Sequence, residues 1–439
     1  MKRRDFLRRL SGSAAFGLVA GSVGSVAAGL DANAHTAYQG MADSASWRRA
    51  ALTRIEATRK GNFQLHISDA AGAPLKNARV RASLYRHDFG FGAAVRLAWL
   101  LDTKHPDEVR QRYQEICSSN FHKLTAANEL KWKHNARNEP YLAPFFDWCQ
   151  THHLPVRGHC LVWAGFDRVP RELAQHKNDP KKLRKLIARH VRDMAARYKE
   201  PVTEWDVLNE PFSEHDFMDI LGKDAALDWF HIAAEANPDA KRYINDYGVL
   251  TRSSKKHQDF YYDYIKWLLD KGAPVQGIGF QAHGPARFQP TPPEAMLATM
   301  DRFKRLGLEQ QVTEFDFETD NEELQARYTQ DFLIAVFSHP SMTGLVTWTP
   351  FEYGDKVVSK PSAALYNRRL MPKPNALAWN ELVNGAWSTD ASISTDENGA
   401  AAFRGFKGAY KVEVTAGSRT ETYLVPLASA DVRAQINLD

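Results

Sequence analysis

From about residue 89, this 439-residue chain repeats one unit eight times: a short apolar run, a polar loop, then a stretch patterned as an amphipathic helix. The apolar runs are FGFGAAV (89–95), HKLTAA (122–127), VRGHCLVW (156–163), VTEWDVLN (202–209), KRYINDY (241–247), VQGIGFQA (275–282), QVTEFDF (311–317) and GLVTWTP (344–350). Their lengths suit strands. After the third, Leu183, Leu186, Ile187, Val191, Met194, Ala195 and Tyr198 recur at helical spacing while Lys and Arg fill the other face. Ser254 to Gly272 and Asn321 to Pro340 behave alike. Eight such α/β units close most economically into a parallel (β/α)8 barrel, a TIM barrel. A doubly wound open sheet is the alternative, but no Gly-rich phosphate loop follows the first strand.

The flanks are patterned differently. FQLHI (63–67) and ARVRASL (78–84) flank the turn-rich DAAGAP, and near the other end YKVEV and TETYLV flank TAGSR. Phe63, Leu65 and Ile67 alternate with polar residues, as do Tyr410, Val412 and Val414, so each segment reads as half of a small antiparallel sheet with one buried face. They are expected to combine into one accessory β-sandwich, the alternative being two hairpins packed separately on the barrel. The organisation expected is an export signal over 1–34, a linker over 35–57, an accessory β segment over 58–88, the barrel over 89–384 and a C-terminal accessory β segment over 385–439.

Residues 1–34 carry five basic and two acidic groups, which leaves 52 basic against 50 acidic residues elsewhere. That balance asks for neither nucleic acid nor an anionic membrane. KRRDFLRR precedes a weakly apolar run rich in Gly and Ala, too short to span a membrane. Paired Arg3 and Arg4 followed by Phe6 and Leu7 resemble a twin-arginine export signal, with small residues at 26–28 and 32–34 as candidate cleavage sites. A periplasmic or extracellular destination is therefore expected, with no membrane span in the mature protein. Cys117, Cys149 and Cys160 have neither disulfide-framework nor metal-ligand spacing; the first two fall in helical patterns and the third in a strand. No metal is expected.

WDVLNEP poses the functional question, because a run built for a core ends in an acid. In a (β/α)8 barrel the reactive groups sit at the C-terminal ends of the strands. Glu210 ends the fourth strand and Glu314 the seventh. Strands converge at the mouth, so the two carboxyls can face each other across a sugar-sized gap, the arrangement glycoside hydrolysis requires. A lone glutamate at a strand end is otherwise a surface or helix-capping carboxylate.

At this point the chain resembles glycoside hydrolase family 10, whose founding activity is endo-β-1,4-xylanase. The resemblance rests on ANELKW, RGHCLVW, WDVLNEP, YINDY, GIGFQAH and VTEFDF, and covers about residues 58–380. The flanks, GFKGAYKVEV above all, look like those of plant-type members. The resemblance implies a retaining double displacement, with Glu210 as general acid/base and Glu314 as nucleophile. It implies that Asn209 meets the sugar 2-hydroxyl, that Asn128, Lys131, His159 and Gln281 line the glycone subsites, and that Trp348 floors a pyranose ring. Asn245 is a candidate for positioning substrate or acid. Asp316 shares a strand face with Glu314 and is expected to orient His283, which then holds the nucleophile. Lys131 could instead pair with Glu129, His159 and His283 could be satisfied core histidines, and Trp348 could be barrel core. Trp132, Trp163 and Trp205 read as packing.

The chain also departs from the family. Ala127 stands where the xylanases usually carry a glutamate, and Ala164-Gly165-Phe166-Asp167 replaces a His and a nearby Gln. TPFEYGDKVVSK after the eighth strand has no second tryptophan, though Glu352, Tyr353 and Asp355 could supply other contacts. The reacting centre is intact while the distal subsite is rebuilt. The expected partner is a β-linked polysaccharide or oligosaccharide, with no cofactor. An exo-acting enzyme on another sugar and a glycan-binding barrel without turnover are the alternatives.

Overall fold

The structure is a computed structural model, and it describes residues 36–102, 104–252, 254–352, 362–429 and 431–438. The arginine-rich segment lies outside the described residues, as do Tyr353 and Asp355. Two strands precede the barrel, β1 (Lys60–Ser68) and β2 (Arg79–His87). The barrel comprises β3 (Gly90–Val95), β4 (Lys123–Ala126), β5 (Val156–Gly158) continued by β6 (Val162–Trp163), β7 (Val202–Asn209), β8 (Lys241–Asp246), β9 (Gly277–Phe280) continued by β10 (His283–Gly284), β11 (Glu309–Phe317) and β12 (Met342–Thr347). All pair in parallel, and β12 returns to β3, so the ring closes. Cys160 falls in the break between β5 and β6, beside a cis peptide that joins it to His159, and so is not a strand residue.

Helices follow where the apolar period changes. Asp179 caps the helix over Pro180–Arg197 by accepting from the Lys182 N–H at 3.0 Å, with proline at the first helical position. Its buried stripe is Leu183, Ile187, Val191 and Met194. Asn321 caps Glu322–Ser338 and Ser254 caps Lys255–Asp270 in the same way. Among the described residues no helix is long and apolar enough to cross a membrane.

The barrel lumen is ionic below the mouth. Lys123 Nζ on β4 donates to Glu204 on β7 at 2.7 Å, Arg157 donates to Glu204 at 3.0 Å and also to Asp206, and Gln311 on β11 reaches Glu204 at 2.9 Å. Arg157 lies on β5, next to β7, but β4 and β11 do not adjoin β7, so the Lys123 and Gln311 contacts cross the lumen. Burial alone would raise the Glu204 carboxyl, yet the Lys123 and Arg157 cations outweigh it and bring it down to about 2. Two cations against two carboxylates leave the floor neutral, which is what makes burying it tolerable.

Outside the barrel, β13 (Asp390–Ser394), β14 (Ala400–Phe406), β15 (Gly408–Ala416), β16 (Arg419–Leu427) and β17 (Val432–Asn437) join β1 and β2 in two sheets, ordered β14-β1-β17 and β13-β2-β15-β16. Phe63, Leu65 and Ile67 of one sheet share a core with Val80, Ala82, Tyr410, Val412 and Val414 of the other. This is one sandwich built from both chain ends. The two segments flanking DAAGAP do not form a hairpin: β1 and β2 enter opposite sheets, because each buries its alternating face against strands from the C-terminal end. A helix, Ser46–Thr58, occupies most of the stretch expected to be a linker. Trp47, Ala51 and Ile55 bury one face of it, but a fourth buried residue is Arg48, which breaks the apolar pattern.

Candidate active site

Two acids stand at the barrel mouth in unlike surroundings. Glu314, on β11, is 4 % exposed. Its Oε1 accepts from Asn245 Nδ2 at 2.9 Å, and its Oε2 lies 3.1 Å from His283 Nε2. The other imidazole nitrogen, Nδ1, is 2.9 Å from Asp316 Oδ2. Burial disfavours charge on both Glu314 and His283, but the pairing outweighs it. Asp316 and Glu314 hold the imidazole well above its ordinary value. In turn the His283 hydrogen bond, with the charges of His159, His283 and Lys131, brings Glu314 down to about 2. Glu314 is therefore ionised across the working pH range.

Glu210 follows β7 and is half-buried, its backbone N–H donating to the Asn245 carbonyl at 2.8 Å. Its φ is +54°, a left-handed conformation that costs a β-carbon residue on the order of 1 kcal/mol and that redirects the side chain as the strand ends. Gln281 Nε2 donates to Oε1 at 2.8 Å and Trp163 Nε1 to Oε2 at 3.1 Å. Burial pushes the carboxyl upward, and the charges of Glu314 and Asp246 push the same way, against the downward pull of those two donors. The net shift is upward. One carboxyl is thus biased toward its proton and the other away from it, the division of labour that acid and nucleophile need.

A hydrogen-bond chain links the two. Asn245 donates to Asn209 Oδ1 as well as to Glu314, both at 2.9 Å. Gly279 on β9 leaves room for the Asn245 side chain, with which a β-carbon there would collide. Asn209 Nδ2 is buried and has no partner among the described residues, so its donors remain for a substrate hydroxyl. Beside this chain, Lys131 Nζ donates to Asn128 at 2.9 Å and sits 5.0 Å and 5.2 Å from the ring centroids of Trp163 and Trp348. His159 is held through Nδ1 by Asp206 at 2.8 Å, and Trp348 lies edge-on to both His159 and His283.

The structure thus gathers all eleven singled-out residues at one mouth. Glu129 is turned inward, accepting from the Leu97 and Asn128 N–H groups, and is not the partner of Lys131. Trp348 is half-buried and faces the site. Gln281 holds Glu210, and Asn245 holds Glu314. Trp163, whose sequence context reads as packing, donates to Glu210; an indole at a strand end carries no sequence signal for that, since the contact joins residues 47 apart. Trp205 packs over Gly158, and Trp132 stacks on His190 at 3.8 Å. Among the departures from the family pattern, Ala164 is fully buried. Arg168 lies 4.5 Å from the Trp163 ring centroid and is clamped by Glu214 Oε1 at 3.0 Å and 2.9 Å.

Residues 81–382 match the model of Glycosyl hydrolase family 10. The chain belongs to that family. The anti-sigma-I factor RsgI6 of Acetivibrio thermocellus is 28 % identical over 379 residues, which cover 84 % of this chain and 47 % of that protein. Endo-1,4-beta-xylanase 1 of Arabidopsis thaliana is 27 % identical over 370 residues, covering 83 % of this chain and 37 % of that one. This family 10 chain therefore spans less than half the length of either curated relative. Native xylanase 10B of Thermotoga maritima superposes with a TM-score of 0.60 at 25 % identity, covering 68 % of this chain and 96 % of that one.

Proposed function

We propose that this protein is an exported β-glycoside hydrolase that cleaves xylan or a related β-linked plant polysaccharide internally, with retention of configuration. The observation that carries the reading is the pair of mouth carboxyls with opposed proton affinities. In the first step Glu314 attacks the anomeric carbon as the glycosidic C–O bond breaks, and the Glu210 proton passes to the departing oxygen. In the second, Glu210 takes a proton from water, the water oxygen bonds to the anomeric carbon, and Glu314 leaves as carboxylate. Asn209 is placed to donate to the 2-hydroxyl, and Lys131, His159 and Trp348 to line the ring bound beside Glu314. The xylanase names among the relatives support xylan, while Ala127 and the Arg168–Glu214 pair support a distal subsite unlike theirs.

The test is hydrolysis of xylan, arabinoxylan, β-glucan and aryl β-glycosides by wild type beside Glu314→Gln. Xylan cleavage that disappears in the variant supports the reading, and a ladder of intermediate oligomers supports internal cleavage over exo action. Turnover of another glycan alone would replace the substrate. A wild type silent on the whole panel would favour a glycan-binding barrel without turnover. Export rests on Arg3 and Arg4: exchange of both for lysine is expected to retain the protein in the cytoplasm, as read by fractionation.

A further inference from the structure

Behind Glu210 lies a second carboxylate that the reaction just described does not use. Asp246 ends β8 and is fully buried. Its Oδ1 accepts from the Tyr247 N–H at 2.8 Å and lies 3.1 Å from His257 Nε2, while Oδ2 faces the Phe212 N–H at 3.4 Å. Phe212 is two residues past the acid, so Asp246 ties down the turn that begins at Glu210. Its backbone carbonyl accepts from the Gln281 N–H at 2.9 Å, and the Gln281 side chain is the one that holds Glu210 Oε1. Two of the restraints on the acid, the turn after it and the Gln281 donor, therefore pass through one residue.

The imidazole behind Asp246 is wedged with equal care. His257 is 3 % exposed, stacks on Phe212 at 3.8 Å and 18°, and meets Tyr247 edge-on at 4.9 Å. Gly248, at φ +63°, passes so close that a β-carbon would lie 3.2 Å from His257 Nδ1. Phe212 is thus gripped twice, through its N–H by Asp246 and through its ring by His257.

We infer that Asp246, backed by His257, is the positioning residue of the acid: it fixes the left-handed backbone at Glu210 and places a buried carboxylate behind that carboxyl. This rests on the role proposed above for Glu210. The groups around Glu210 sort by sign. Glu314 from β11 and Asp246 from β8 oppose its ionisation, as burial does. Arg168, from the loop after β6, is near enough to feel its charge, as is the buried Cys160 thiol between β5 and β6. Trp163 and Gln281 donate to it. Of the two opposing carboxylates, Glu314 is consumed in the covalent step, which leaves Asp246 as the charge that persists when the acid must be recharged.

The experiment is Asp246→Asn in the full chain, with its fold checked by thermal melting. The Glu210 carboxyl is titrated in both proteins by 13C NMR of glutamate-labelled samples, with the resonance assigned through Glu210→Gln. The midpoint is expected to fall by about 0.5–1 unit, and the alkaline limb of kcat/KM on a natural glycan to move down with it. Asp246→Ala, which also loses the acceptor for Phe212, is expected to cut kcat at the optimum about tenfold further, with KM little changed. An unmoved Glu210 midpoint in folded Asp246→Asn overturns the inference. Because the titration needs no turnover, an inactive wild type would defeat the proposed function without deciding this one.

Discussion

At Glu210 and Glu314 the same side chain is given two proton affinities by its neighbours, and substitution of those neighbours should move each separately. Glu314→Gln keeps the shape of the site and removes the attacking oxygen, so turnover should fall by about 10⁴-fold or more on every substrate while glycan binding persists, as isothermal titration would show. Glu210→Ala should slow natural glycans about 10²–10⁴-fold, and aryl glycosides with good leaving groups much less, because these depart without a proton. Equal losses on both substrates would remove Glu210 from the acid role. Trp163→Phe keeps a ring beneath Lys131 and Arg168 but loses the N–H that stabilises ionised Glu210. The alkaline limb of the rate profile should then move to higher pH by about half a unit, opposite in direction to the shift expected for Asp246→Asn.

At the scale of elements, the N-terminal helix is held by a contact that periodicity hides. Asp331, in the middle of Glu322–Ser338, is fully buried and accepts from Arg48 Nη2 at 2.6 Å and 2.5 Å and from the Tyr38 hydroxyl at 2.7 Å. Asp331→Asn leaves the buried Arg48 guanidinium with only the Ala42 and Met41 carbonyls and no counter-charge from Asp331, and should cost about 3 kcal/mol, read from chemical denaturation. Arg48→Met with Asp331→Leu should recover most of that loss. The same pair explains what was legible in the sequence. The eight barrel strands announced themselves because each is a short apolar run beside a polar loop, and the caps at Asn321 and Ser254 lie where the apolar period begins. The helix over 46–58 was missed because its docking face includes a buried arginine. The crossing of β1 and β2 into opposite sheets depends on partners more than 300 residues away, which no local pattern around DAAGAP encodes. The site residues on strand ends were legible through their motifs. Trp163, Asp246 and His257 were not, because each acts through a residue far from it in sequence.

At the scale of the whole molecule, proton linkage should make the fold sensitive to mild acid. His87, His122 and His190 are buried as neutral imidazoles: burial lowers His87 and His190 to about 3 and His122 well below its usual value. An unfolded chain takes up protons at these positions as pH falls through about 6.5, while the native state does not. Their contribution is complete above that pH and is lost between about 6.5 and 3. Glu204 and Glu314, both depressed to about 2, add a loss of the same sign between the ordinary glutamate range and 2. Glu210, Asp246 and Asp331 are shifted upward and act the other way, as does His283, whose stabilising charge is complete below its ordinary value and is lost as pH rises through its raised one. The three neutral histidines begin to act first as pH falls from 6.5, so the melting temperature should drop steadily from pH 6.5 toward 4, before the carboxylates of the lumen begin to protonate. His190 sits against Trp132 and the Leu161 carbonyl, away from the acids, and His190→Gln should flatten that slope by about one proton without changing the rate profile set by Glu210. An unchanged slope in His190→Gln relative to wild type would show that this imidazole gains its proton in the native state, and so that water reaches it.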